Sequence, residues 1–285
     1  MVKYRIQARN VGNVAASKTA LITLPVGPRY HQLILLHGYS GGTNTVAAAA
    51  ANILDIRVKV NGRIQRQVSG TQLRDMNLLN GAAYDCTGLP NTSPGVSFPI
   101  FLAEPWRKDA RDQDAMAWPT DGWDTFQVEV DLGAAATPTL EAWAVVDDFV
   151  PPKDAERAIC KWLRQSWPAA GTQVDISTLD RRDWLTQISL YPAGVAASKV
   201  TMRLNGLILH ELTKPANDAL LLTNGMLPNA TGRTANIYDL VADHDDLLGS
   251  AVNLNGSRDL TLTVESASAM SGTLTAIIQR IGPPE

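Results

Sequence analysis

The chain has 285 residues, of which 45% are hydrophobic and 19% charged, with 21 glycines and 16 prolines. This is the composition of a soluble globular protein with many turns and one large core or two moderate ones, and it excludes a disordered or fibrous chain. The formal net charge of -3 gives no long-range field that would attract phosphates, so we expect no direct binding of nucleic acid.

Several classes of site and location are not expected from the sequence. Residues 1–24 lack the uninterrupted apolar core of a signal peptide, and no run of about 18 apolar residues suggests a membrane span. Cys86 and Cys160 lie outside any CxxC pair, which favours buried free thiols over a disulfide or a zinc site. The four histidines form no i, i+4 pair, and no phosphate-binding glycine motif predicts a nucleotide cofactor.

The segment LILLHGYSGG, residues 33–42, matches the G-x-S-x-G pattern of the nucleophile elbow in α/β-hydrolases, with Ser40 as the nucleophile. The base and the orienting acid would then come from these residues: His210 or His244, and Asp180, Asp239 or Asp243. However, the pattern comes early in the chain, and no βαβ units follow it. A glycine-rich turn with a solvated Ser40 is therefore the favoured interpretation.

Residues 56–81 predict a β-hairpin, then a short polar segment and another turn. Ile56, Val58 and Val60 alternate with polar residues, as in a strand with one buried face, and the run ends at Asn61-Gly62. Because Asn-Gly accepts the positive φ angles of a tight turn, we expect a second strand to return beside the first.

The segment from Glu104 to Asp124 combines alternating charges with Trp106, Trp118 and Trp123. These tryptophans are candidates for a contact between subunits, because interfaces favour large aromatic side chains at their centre. They could equally close the end of the subunit's own domain. The sequence leaves both interpretations open.

A linker helix is predicted over residues 151–167, where Pro151-Pro152 precede DAERAICKWLRQSW. Apolar residues recur in it at helical spacing: Ala155, Ile159, Trp162 and Leu163. We expect this apolar stripe to cover the base of a domain.

The second half of the chain repeats the first. Residues 200–225 align without a gap on residues 56–81 at an offset of 144, which places Asn205-Gly206 on Asn61-Gly62. The match resumes at an offset of 134 with these apolar pairs: Phe126 and Leu260, Val128 and Leu262, Val130 and Val264. The chain is therefore expected to contain two copies of one domain.

An acidic cluster, Asp243-His244-Asp245-Asp246, follows in the second half. Its carboxylate oxygens could hold a hard cation such as calcium if the loop folded inward, although no EF-hand-type loop occurs and a solvated loop is the alternative. Asp243, Asp245 and Asp246 are the only candidate metal ligands, and no other cofactor is predicted.

Roughly eight short strands per half, with little βαβ alternation, predict an all-β fold of two tandem eight-stranded jelly rolls joined by a short linker helix. The predicted divisions are residues 1–150 for the first jelly roll, 151–167 for the linker helix and 168–285 for the second jelly roll.

Two segments resemble the N-terminal jelly roll of a viral family, the major capsid proteins of tailless, membrane-containing icosahedral phages of the corticovirus type. They are NVAASKTALITLPVGPRYHQLILLHGYSG, residues 13–41, and ILDIRVKVNGRIQRQVSGTQLRDMN, residues 53–77. The rest of the chain is similar to that family in the order of its elements more than in amino-acid sequence. Some members of the family carry calcium.

The resemblance implies a homotrimer with a pseudo-hexagonal outline that tiles a viral shell over an internal membrane. As partners it implies neighbouring trimers, penton and membrane-associated virion proteins, and a peripheral contact with the internal lipid. We therefore expect a structural capsid protein of the virion, made in the host cytoplasm and without enzymatic activity. The alternatives are a carbohydrate-binding, lectin-like double β-sandwich and a serine hydrolase using Ser40.

Overall fold

The computed structural model describes residues 2–40, 45–89, 95–150, 157–192, 194–242 and 248–285, and this part of the chain is mostly β. The chain divides into two units. The first unit comprises Met1–Cys160 together with Pro283–Glu285, and the second comprises Lys161–Gly282. The division into two halves agrees with the repeat, and the boundary falls next to residue 160.

The predicted linker helix over residues 151–167 is wrong where the structure describes it. Residues 151–156 lie outside the described residues, and a strand begins at Ile159 and continues to Ile176. Its first four residues are all buried, so the segment has no exposed polar face of the kind that an amphipathic helix presents. Isoleucine and tryptophan favour a strand, and so short an apolar run could not distinguish the two periodicities.

The first unit consists of two antiparallel sheets. Its strands are β1 (Tyr4–Ala8), β2 (Asn10–Gly12), β3 (Thr19–Leu24), β4 (Arg29–Ser40), β5 (Ile53–Val60), β6 (Arg63–Val68), β7 (Thr87–Gly88), β8 (Val96–Phe101), β9 (Trp118–Pro119), β10 (Phe126–Leu132) and β11 (Ala136–Asp147). One sheet has the order β1-β11-β4-β8-β7, with β9 beside β4, and the other contains β6-β5-β10-β3-β2.

The alternation along β5 and β10 explains how the core of the first unit forms. Val58 and Val128 are paired in register and buried, whereas the neighbouring pair Arg57 and Glu129 lies on the opposite face, joined by a hydrogen bond of 2.9 Å. The other sheet contributes further buried side chains to the core: Leu33, Leu35, Phe98, Ala144 and Val146.

The second unit repeats this plan. Its strands are β12 (Ile159–Ile176), which begins in the last two residues of the first unit's main segment, β13 (Trp184–Tyr191), β14 (Ala197–Leu204), β15 (Leu207–Thr213), β16 (Tyr238–Val241), β17 (Val252–Asn253) and β18 (Leu260–Gly282). The order β15-β14-β18-β12 forms one layer, and β13 pairs with β16, β17 and the last part of β18. Buried apolar residues from these strands form one core, including Ile188, Leu190, Val200, Leu262 and Ile278.

In the described part of the chain, four α-helices lie between the strands: α1 (Val46–Asn52), α2 (Gly70–Leu79), α3 (Ala110–Ala115) and α4 (Lys214–Thr223). Helices α2 and α4 occupy equivalent positions of the repeat, where only a polar segment and a turn were predicted. Ser69 begins α2 with a capping box, in which its hydroxyl accepts from Gln72 N–H at 3.1 Å and Gln72 Oε1 accepts from Ser69 N–H at 2.9 Å. No described helix is long and apolar enough to cross a membrane.

The two Asn-Gly turns have the same geometry. Asn61 and Asn205 lie at φ 50° and 51°, and the glycines that follow them lie at 78° and 82°. The side-chain oxygen of Asn61 accepts from the two backbone N–H groups that precede β10, at 2.8 and 3.1 Å. The side-chain oxygen of Asn205 accepts from the two backbone N–H groups that precede β18, at 2.8 and 3.2 Å. The structure therefore confirms the predicted internal repeat in atomic detail.

Candidate functional site

Trp118 and Trp123 lie inside the first unit. Trp118 is fully buried, and its ring makes an edge contact with Trp123 at 6.0 Å and lies 5.2 Å from the guanidinium carbon of Arg66. Trp118 reaches this position because β9 pairs with the start of β4. This arrangement fits the second interpretation of the tryptophans, in which they close their own domain, and a role of Trp118 or Trp123 in a subunit contact stays a prediction.

Trp106 is only half-buried. It packs edge-on against Tyr84 at 5.5 Å and Phe101 at 5.7 Å, with part of its ring accessible. A contact of Trp106 with another subunit stays a prediction.

The sheet around Ser40 differs from that of an α/β-hydrolase. Ser40 ends β4, whose neighbours β11 and β8 are both antiparallel to it, whereas the nucleophile elbow belongs to an α/β fold with a mostly parallel sheet. The Ser40 hydroxyl contacts the Thr137 hydroxyl and lies 3.4 Å from the Ala136 carbonyl oxygen. Gly41 and Gly42 lie outside the described residues.

The residues predicted to complete a catalytic triad have other partners. His210 donates to the Tyr238 hydroxyl at 2.8 Å, since that hydroxyl donates its own proton to a backbone carbonyl, and burial lowers the pKa of His210 to about 4. Asp239 forms a fully buried ion pair with Arg233 at 2.8 Å. His210 and Asp239 belong to the second unit and Ser40 to the first.

Asp180, the other described candidate acid, pairs with Arg182 at 2.7 Å and with Arg280 at 3.1 Å. Asp243 and His244 lie outside the described residues. The described residues therefore give no support to a serine hydrolase.

The candidate metal ligands Asp243, Asp245 and Asp246 lie outside the described residues. Among the residues that the structure describes, no group of three or more His, Cys, Asp or Glu side chains could hold a metal ion. Cys86 and Cys160 are free and buried, as predicted, and burial raises the pKa of the Cys86 thiol.

A buried ionic cluster joins β4 to the end of β11. Asp147, whose side chain is 1% exposed, accepts from Arg29 Nη2 at 2.6 Å and lies 2.8 Å from His31 Nε2. Burial alone would raise the pKa of this carboxyl, but hydrogen bonds from Arg29, the Phe149 backbone N–H and His31 hold it well below its ordinary value. The cluster therefore stabilises the first unit while its carboxylate is ionised.

An apolar surface on the second unit was not predicted. Of the twelve large apolar side chains that are exposed in the described residues, five lie on two neighbouring elements of that unit, β15 and α4: Leu207, Ile208, Leu209, Leu220 and Leu222. We call them the β15–α4 surface. Leu209 and Leu220 also line a cavity of about 350 Å³.

A signal for this surface was present in the repeat. Where the first copy has Arg63-Ile64-Gln65, the second has Leu207-Ile208-Leu209. At two positions where the first copy is polar, the second copy thus has leucine, and both leucines are exposed.

Comparisons with known proteins point to one family and one fold. The family model described as viral coat protein P2 N-terminal domain matches residues 5–147. The structure of the major capsid protein P2 from bacteriophage PM2 aligns with a TM-score of 0.80 and 22% identity over 99% of this chain and 97% of that chain. No curated protein sequence matches.

More distant structures share the same architecture. The structure of Sulfolobus turreted icosahedral virus matches with a TM-score of 0.69 and 9% identity over 99% of this chain and 91% of that one. The Faustovirus major capsid protein matches with a TM-score of 0.64 and 8% identity over 99% and 90%. The predicted all-β double jelly-roll fold is confirmed.

Proposed function

Because the chain belongs to the viral coat protein P2 family, we propose that it is the major capsid subunit of an icosahedral virus and assembles with copies of itself. Its role is structural, and its place is the capsid of the virion. The observation that carries the proposal is the duplicated jelly roll, with identical Asn-Gly turns in the two units, in a chain whose first half matches a coat-protein family.

The oligomer that we propose is a homotrimer. Three chains with two similar domains each present six similar edges, so a three-fold object can occupy a six-fold position in a closed lattice. Neighbouring trimers would then meet through equivalent edges, and the free energies of these contacts would add across the shell.

The further partners in the proposal follow from the needs of such a shell. A block with six similar edges does not fit a five-fold vertex, so we propose a separate penton protein there. Membrane-associated virion proteins and a peripheral contact with an internal lipid membrane rest on the family resemblance alone. The net charge of -3 does not favour direct binding of nucleic acid, and the proposal includes no metal or other cofactor.

The test is assembly of the purified full-length chain. Sedimentation velocity is expected to show a trimer, and electron microscopy is expected to show closed shells or flat hexagonal arrays at high concentration. A chain that stays monomeric and forms no arrays under any condition would contradict the proposal. Covalent labelling of Ser40 by a serine-reactive probe would instead restore the hydrolase alternative.

A further inference from the structure

The two repeated hairpins agree residue by residue, including an irregularity in their pairing. In the first unit, Val58 pairs with Arg66 and Lys59 with Ile64, so Gln65 is an extra, bulged residue. In the second unit the same shift in strand register occurs between Met202 and Arg203, and Leu209 is the bulged residue. Leu209 therefore occupies the position of Gln65.

In the first unit, other segments of the same chain cover this hairpin. Gln65 is fully buried, and its side-chain amide forms two hydrogen bonds with the backbone of Glu285. Its Nε2 donates to the Glu285 carbonyl oxygen at 3.4 Å, and its Oε1 accepts from the Glu285 N–H at 3.3 Å. Arg66 is 1% exposed and donates to the Cys160 carbonyl at 2.9 Å. The β6 side of the hairpin is thus occupied by residues 160 and 285.

In the second unit, the equivalent side is open. Leu207 is 66% exposed and Leu222 is 53% exposed, and β15 pairs with β14 alone among the described strands. An edge strand of this kind usually carries lysine, proline or an inward-pointing charge that blocks pairing with other chains. The first three residues of β15, Leu207-Ile208-Leu209, carry none, and the one acidic residue of the strand, Glu211, is paired with Lys199. This exposed apolar edge is therefore a surface on which another polypeptide segment could pack.

We propose that the β15–α4 surface is the place where a second copy of this chain docks. The inference rests on the proposed function, because it assigns the self-assembly of the coat protein to a particular surface. The equivalent edge in the first unit is covered by this chain's own segments, and an assembling copy would cover the apolar edge of the second.

The size and charge of the surface agree with a protein partner. The five apolar side chains expose on the order of 400 Å², about half of the ~800 Å² that each partner contributes to a stable interface. Around them the charges are balanced in pairs, Lys199 with Glu211 at 2.6 Å and Lys214 with Asp218 at 2.6 Å. An apolar centre with a neutral polar rim is typical of a protein interface and offers no excess positive charge to nucleic acid or anionic lipid.

Lysine substitutions at the two most exposed positions test the assignment. Leu207→Lys and Leu222→Lys are expected to raise the concentration needed for half-assembly by about tenfold or more, measured by sedimentation of the full chain. Leu54→Lys is the matched control, since Leu54 is 55% exposed on the first unit and is expected to assemble normally. Circular dichroism and urea unfolding would confirm that all three variants fold.

A thiol at the surface gives a second, direct measurement. Both native cysteines are buried, so Leu207→Cys introduces an accessible thiol. A maleimide is expected to label it about tenfold more slowly in the assembled protein than in dissociated subunits, whereas Leu54→Cys is labelled equally in both.

The outcomes separate the inference from its premise. Normal assembly of both lysine variants, or equal labelling of Leu207→Cys in the two states, overturns the docking surface and leaves the coat-protein function standing. A wild-type chain that never assembles overturns both. Loss of assembly in Leu207→Lys and Leu222→Lys but not in Leu54→Lys supports the proposal.

Discussion

The hairpin of the first unit and its copy in the second have the same backbone and opposite surroundings. The turn angles, the bulge and the following helix are retained, whereas the buried Gln65 is replaced by the exposed Leu209. The comparison teaches that local sequence sets the geometry of each hairpin, while the residues on its outer edge are adapted to whatever covers that edge.

The largest effect is expected at the covered hairpin. Trp118→Ala removes a fully buried ring that contacts Arg66 of β6, and it should lower the free energy of unfolding by about 4 kcal/mol through the cavity left behind. Urea denaturation measures this loss. Trp143→Ala, at a ring 36% exposed, is the control and should cost far less. A Trp118→Ala variant that is fully stable but does not assemble would support Trp118 as a subunit contact instead.

The next effect concerns the second unit beneath its open edge. Asp239→Ala leaves the buried Arg233 without its ion-pair partner and should destabilise the chain by about 3 kcal/mol. Asp259→Ala, at an exposed carboxylate, should change the unfolding free energy little. An equal response of the two variants in urea would show that the Arg233–Asp239 pair is not buried in solution.

The repeated turns should respond equally. Asn61→Ala and Asn205→Ala each force alanine into a positive φ and remove the oxygen that accepts two backbone N–H groups, so each should cost about 2 kcal/mol. Asn61→Asp and Asn205→Asp keep both properties and serve as controls. Penalties that differ by more than about 1 kcal/mol between the two sites would show that the two turns are not energetically equivalent.

The smallest effect is a response to acid. Because the pKa of Asp147 is held below its ordinary value in the folded protein, its contribution to stability is present above about pH 4 and is lost as the pH falls below that. Asp147→Asn should therefore make the free energy of unfolding less dependent on pH below pH 4, by on the order of 1 kcal/mol. Asp124→Asn, at an exposed position, should retain the wild-type slope.

The sequence predicted those parts of the fold that depend on local pattern. Alternating apolar residues and the Asn61-Gly62 and Asn205-Gly206 dipeptides were sufficient to predict two equivalent hairpins, because strand period and turn conformation are properties of a few neighbouring residues. Helices α2 and α4 were missed although Ser69 and Gln72 carry a recognisable capping box. Helix α2 has only ten residues, so its apolar side chains span too few turns to establish a helical period beside the strongly alternating strands.

The parts that failed depend on contacts between distant segments. The strand from Ile159 was predicted as a helix because the spacing of its apolar residues fits a helix. Its burial on both faces depends on neighbours in the fold, which the spacing does not reveal. The position of Trp118 could not be decided, since an aromatic ring in a polar loop serves a core and an interface equally well until its surroundings are known. The exposed leucines on β15 were readable only by comparing the two copies of the repeat position by position.

The continuity of strand β18 also has a consequence for how the second unit transmits force. The strand runs without a break from the part paired with β14 to the part paired with β13, whereas in the first unit β10 and β11 share these tasks and are separated at Gly133. Tension applied to one layer of the second unit is therefore carried to the other along a single strand. In the first unit the same load must pass through residues 133–135, which belong to neither β10 nor β11.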